Sequence, residues 1–92
     1  MRNVSQIYEL TNKIQDLINR LHTKDPSNET FEQLGMLDGS RLVQEYLSEG
    51  EFGLAVEHLL YMVYESDISY PTEITEQLTE LVQKFQIKNP YP

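Results

Sequence analysis

The sequence predicts an all-α fold: a small bundle of about four helices forming one domain over residues 1–92. Three observations predict it. Apolar residues recur at three- and four-residue steps through most of the chain, the spacing of a buried helical stripe. No segment alternates apolar and polar residues as a half-buried strand would. The periodic segments are punctuated by Asp25-Pro26, Gly50 and Tyr70-Pro71, which leave short connections between them.

The first helix is expected over about 3–23, where Val4, Ile7, Thr11, Ile14, Ile18 and Leu21 mark one face. On the other face Glu9 precedes Lys13 and Asp16 precedes Arg20 by four residues, the favoured order for helical ion pairs. Asp25-Pro26-Ser27-Asn28 ends the helix by Lys24, because the residue before proline is pushed out of helical geometry. A loose helical segment near 29–37 follows, with Phe31, Leu34 and Leu37 on one face and Gly35 weakening it.

The second clear helix is expected over 40–49, with Asp38 or Ser40 as its N-cap and Gly50 as its left-handed close. The third, over 51–66, has Phe52, Val56, Leu59 and Val63 as its core stripe, with Ala55 and Met62 beside it. Leu54, Tyr61 and Tyr64 point elsewhere, so this helix either lies at the centre or carries an interface on its second face. That apolar excess permits a homodimer without requiring one. The fourth helix, over 71–86, starts at Pro71 and has the stripe Ile74, Leu78, Leu81, Val82 and Phe85. The end, Asn89-Pro90-Tyr91-Pro92, is expected to fray.

Charge is distributed in blocks. Residues 1–24 carry a net +2 and residues 83–92 another +2, while residues 25–82 hold thirteen acids and one base, Arg41. A surface so acidic repels phosphate backbones, so direct nucleic-acid binding is not expected. It attracts a basic protein instead, although an acidic surface also serves plain solubility. With no cysteine, neither disulfides nor thiolate metal sites can form. The opening residues lack the apolar core of a signal peptide. The longest apolar run, Leu59 to Tyr64, is far short of the roughly 20 residues of a membrane span. The expectation is therefore a cytoplasmic protein with no membrane association.

Residues that could carry chemistry do not assemble into a motif. Ala55 stands three before His58 and Asn19 three before His22, so neither forms the Glu-x-x-His pair of a helical di-metal site. No zinc-binding histidine spacing, phosphate-cradling glycine loop or nucleophile motif is present. The expectation is no enzyme, no metal and no cofactor. One surface stands out. Glu57, Tyr61, Tyr64 and Glu65 lie opposite the core stripe of the third helix, flanked at its ends by Glu49, Glu51, Asp67 and Tyr70. Tyrosines among carboxylates suit a protein interface, where a rigid amphipathic ring sits beside groups that attract Arg and Lys. The competing reading packs Tyr61 and Leu54 under the loose 26–38 segment.

The stretch Ser48-Glu49-Gly50-Glu51-Phe52-Gly53-Leu54-Ala55-Val56-Glu57-His58-Leu59-Leu60, continuing through Tyr64-Glu65-Ser66-Asp67 to Tyr70-Pro71, resembles the MafI family of immunity proteins from bacterial polymorphic toxin systems. Immunity proteins of contact-dependent growth inhibition are similar. Gly50-Glu51, Leu54-Ala55, Glu57, Leu59 and Glu65 carry the likeness, which is best over 47–71 and extends to about 82. Residues 1–38 share only helical character and length. The resemblance implies a non-enzymatic antidote that binds a toxin's C-terminal nuclease domain, with an EndoU-type RNA endonuclease as one target. A basic RNA-binding cleft is a fitting partner for an acidic face. The rival expectation is a helical adaptor or structural subunit of a cytoplasmic complex.

Overall fold

The computed structural model describes residues 2–27 and 29–91, the side chains of Arg2 and Asn3 excepted. Asn28 of the expected turn and Pro92 of the expected frayed end therefore lie outside the described residues. The chain is all-α: α1 (Arg2–Lys24), α2 (Thr30–Gln33), a 3₁₀ turn (Met36–Asp38), α3 (Gly39–Ser48), α4 (Phe52–Glu65) and α5 (Thr72–Lys84). The segment expected to be loosely helical forms α2 and the 3₁₀ turn. None of the described helices is long and apolar enough to cross a membrane.

Helix α1 buries Ile7, Leu10, Thr11, Ile14, Gln15 and Ile18. The buried hydroxyl of Thr11 is satisfied by donating to the Ile7 carbonyl at 2.6 Å. Leu21, expected at the end of the stripe, is 37% exposed and borders an open groove with Leu17, Phe31 and Ile68. The pairing of Asp16 with Arg20 forms at 2.9 Å. Lys13 instead reaches across to α5, where its Nζ meets Glu73 Oε1 at 3.0 Å. Its long stem trades a weak local pair with Glu9 for a contact that ties two helices together.

The expected side-chain caps of α3 are not used. Asp38 occupies the N-cap position without capping, and its carboxylate lies 3.6 Å from Arg41. The capping acceptor comes from α1. Gln15 Oε1 accepts from the Ser40 backbone N–H at 2.9 Å, while Gln15 Nε2 donates to the Met36 carbonyl and to Asn19 Oδ1, each at 3.0 Å. One buried amide thus satisfies the Ser40 N–H that the helix start leaves open and adds a second donor to the Met36 carbonyl, which already accepts from the Gly39 N–H. Helices α3 and α4 approach closely at Gly39, where an added Cβ would fall on the Met62 thioether.

Gly50 closes α3 as expected, with φ 76°. The Glu51 N–H reaches the Tyr46 carbonyl at 2.8 Å and the Gly50 N–H reaches the Leu47 carbonyl at 3.1 Å, the two bonds of a Schellman close. Helix α4 is the central element, buried at Ala55, Val56, Leu59, Leu60, Met62 and Val63 and packed on α1, α3 and α5. Its apolar excess is thereby largely accounted for inside the fold.

The chain end departs most from expectation. Gln86 ends α5 in the left-handed region, φ 54°, and Ile87 N–H bonds the Val82 carbonyl at 2.9 Å. This second Schellman-type close turns the chain back over α4 and α5. Ile87 then lies against Gly53, and the Tyr91 ring stacks on Tyr64 with centroids 4.7 Å apart and planes within 4°. The expected fray gives way to contacts at Ile87 and Tyr91, which both find apolar surface to cover, while Asn89 and Pro90 between them stay exposed.

Candidate functional site

Helix α4 presents Leu54, Glu57, Tyr61, Tyr64 and Glu65 at the three- and four-residue steps that put side chains on one face. Leu54 is 42% and Tyr64 44% exposed, and both carboxylates are open to solvent. Tyr61 differs. Its hydroxyl donates to the Leu34 carbonyl at 2.7 Å, and its ring stacks on His58 at 5.5 Å. Tyr61 is thus half-buried under the segment that joins α2 to the 3₁₀ turn, while Leu54 stays outside.

Of the flanking residues, Glu49 and Glu51 are exposed at the corner between α3 and α4. Asp67 is exposed just beyond the far end of α4, in the left-handed region at φ 55°. A helix of 14 residues is about 20 Å long, so these ends cannot share one compact patch. Tyr70 is turned inward, its hydroxyl 2.8 Å from Ser66 Oγ, and burial pushes its pKa up. The structure therefore gathers Leu54, Glu57, Tyr64 and Glu65 along one strip. It places Glu49, Glu51 and Asp67 at the strip's ends, and it engages Tyr61 and Tyr70 within the fold.

Among the described residues, no ion pair involves Glu49, Glu51, Glu57, Glu65 or Asp67, whereas Asp16, Glu32, Asp38, Glu45 and Glu73 each have a basic neighbour. Glu76 and Glu80 on α5 also take part in no ion pair among the described residues, but threonines rather than aromatic rings lie between them. The α4 strip is where uncompensated carboxylates meet exposed apolar surface.

Tyr91 is the residue that sequence reasoning missed. Its hydroxyl pKa is raised, first by burial and then by the Glu65 carboxylate beside it. The usable signal was Ile87, which follows the helix end where a Schellman close brings an apolar residue back onto the last turn.

His58 lies between Tyr46 and Tyr61, and burial lowers its pKa below 6.5. Its buried Nε2 makes no hydrogen bond among the described residues. No group of three or more His, Asp or Glu among those residues is placed to hold a metal ion. An open groove of about 560 Å³ between α1 and α5 is lined mainly by Gln6, Glu9, Gln77, Glu80, Gln83 and Lys84. Its walls are amides, two like-charged carboxylates and Lys84, with Leu81 the apolar side chain among them, an open cleft rather than an enclosed apolar pocket that grips a ligand.

Compared with protein-family models, with curated proteins and with solved structures, the chain shows no significant match.

Proposed function

We propose that this chain is a binding protein that captures a basic protein partner along the outer face of α4. The resemblance of residues 47–71 to MafI immunity proteins makes that partner the C-terminal nuclease domain of a bacterial toxin, an EndoU-type RNA endonuclease being one candidate. Capture takes place in the cytoplasm, before the nuclease reaches its substrate.

The observation that carries the reading is the strip itself. Glu57 and Glu65 take part in no ion pair among the described residues and flank the exposed Tyr64 and Leu54. Carboxylates left uncompensated project their field outward, and that field accelerates encounter with a basic cleft. Exposed rings beside them supply apolar area at low conformational cost once contact is made. An antidote needs both fast encounter and slow release.

The test is survival of cells that co-express this chain with the C-terminal domain encoded immediately upstream, followed by co-purification. Rescue with a stable 1:1 complex is the expected result. A harmless neighbour, or a lethal one that is neither rescued nor bound, would overturn the antidote reading in favour of an adaptor in a larger complex.

A further inference from the structure

The segment after α5 lies along the groove between α4 and α5. Ile87 sits by Gly53 near the start of α4, Asn89 borders Leu60, Tyr64 and Val82, and Tyr91 reaches Tyr64 near the helix end. The Tyr91 N–H is fixed on Asn89 Oδ1 at 2.9 Å. The left-handed Gln86, a conformation that residues other than glycine adopt at a cost, sets the direction of this strap. The strap thus adds a residue to the α4 face.

The geometry points to a guanidinium-binding corner formed by Tyr64, Glu65 and Tyr91, which takes an arginine side chain of a basic protein partner. The inference deepens the capture-face reading and rests on it. Three features favour arginine. The Tyr64 and Tyr91 rings are parallel and in contact, and Tyr64 still leaves 44% of its surface open. A planar cation can stack on that open surface. Glu65 accepts the Tyr91 hydroxyl and takes part in no ion pair among the described residues, so its remaining lone pairs can accept from the guanidinium fork. A lysine ammonium, strongly hydrated and lacking a flat face, gains the charge attraction without the stack. The strap holds the second ring in place before the partner arrives, which lowers the ordering cost of binding.

The corner is tested with two peptides of equal length and charge, nona-arginine and nona-lysine, titrated at low salt into the full chain and into Tyr91→Ala. Affinities are read together with the NMR ring resonances of Tyr64 and Tyr91. Nona-arginine is expected to shift both rings and to bind roughly two- to fivefold more tightly than nona-lysine, the worth of an exposed cation–ring contact. Tyr91→Ala should erase that preference while the helical circular dichroism is unchanged, and Tyr91→Phe should keep it. Equal affinities for the two peptides, or a preference that survives in Tyr91→Ala, would overturn the corner. The two readings fail separately. Intact toxin-domain capture without arginine preference removes the corner alone, and arginine preference without capture of that domain removes the antidote alone.

Discussion

Tyr61 and Tyr64 stand one turn apart on α4, and different segments cover them. Over Tyr61 lies the segment that joins α2 to the 3₁₀ turn, whose Leu34 carbonyl takes the phenol hydrogen at 2.7 Å. Over Tyr64 lies only the strap, through the ring of Tyr91, and almost half of its surface stays open. One tyrosine clamps a weak segment to the bundle, and the other is part of a surface. Their difference teaches that a helical wheel identifies the outer face of a helix but not its roof. Roofs are built by irregular segments, and those decide which outward residues remain available for a partner.

The strongest way to break the comparison is to remove what fixes the first roof. Gln15 holds the Met36 carbonyl and the Ser40 N–H with one buried amide. Gln15→Ala leaves the Ser40 N–H without that acceptor, while the Met36 carbonyl keeps the Gly39 N–H, so the change should cost about 1–3 kcal/mol. Urea unfolding measures this directly. A loss under about 1 kcal/mol would mean that water replaces the amide at little cost and that Met36 alone seats the turn.

Next in size is an effect on capture rather than stability. Glu57→Lys combined with Glu65→Lys reverses the charge of the open strip, where neither carboxylate takes part in an ion pair among the described residues. Stability should stay within about 0.5 kcal/mol, while the association rate with the toxin domain should drop on the order of tenfold or more and lose much of its salt dependence. Glu45→Lys combined with Glu73→Lys is the matched control, because it makes the same change in net charge at carboxylates that already pair with Arg41 at 2.7 Å and Lys13 at 3.0 Å. If the control slows capture as much as the strip variant, net charge alone drives encounter and the strip has no special place in it.

The elements with strong periodicity were legible in the sequence, and so were the stops that chemistry enforces. Ile7, Ile14 and Ile18 on α1 and Ile74, Leu78 and Leu81 on α5 follow from spacing alone. Asp25-Pro26 and Gly50 follow from backbone geometry. The α3 cap was not legible, since its acceptor lies 25 residues away and competes with local candidates, Asp38 and Ser40, that look adequate. Lys13 was misassigned for a related reason: its partner Glu73 is 60 residues distant and adjacent only after folding. Within the candidate site, Glu57, Tyr64 and Glu65 were readable because they repeat on one helix. Tyr91 was harder to read, since its place depends on a left-handed Gln86, and only the apolar Ile87 after it hints at that close.

A smaller test sharpens the contrast between the two tyrosines. Tyr61→Phe removes only the hydroxyl that bonds Leu34, so it should cost about 1 kcal/mol and leave capture unchanged. Tyr64→Ala should behave in the opposite way, weakening capture with little effect on the unfolding midpoint. If Tyr61→Phe weakens capture by more than twofold at equal stability, the first roof also belongs to the binding face.

The smallest effect concerns His58, whose ring is the floor on which Tyr61 rests. Burial lowers its pKa below 6.5, so the folded chain takes up a proton less readily there than the unfolded chain does. Between the lowered value and 6.5 the unfolded state binds more protons, and stability must fall as pH falls through that window. The penalty is absent above 6.5, grows below it and levels off once the folded imidazole protonates too. His58→Phe keeps a ring between Tyr46 and Tyr61 but cannot titrate, so its urea midpoint should change less between about pH 7.5 and pH 5.5 than that of the parent chain. His22, which lies 3.8 Å from Glu32, remains in both proteins, so the difference between them isolates His58. Equal pH slopes would mean that the ring protonates without disturbing the roof and that the Tyr61 clamp tolerates a cation beneath it.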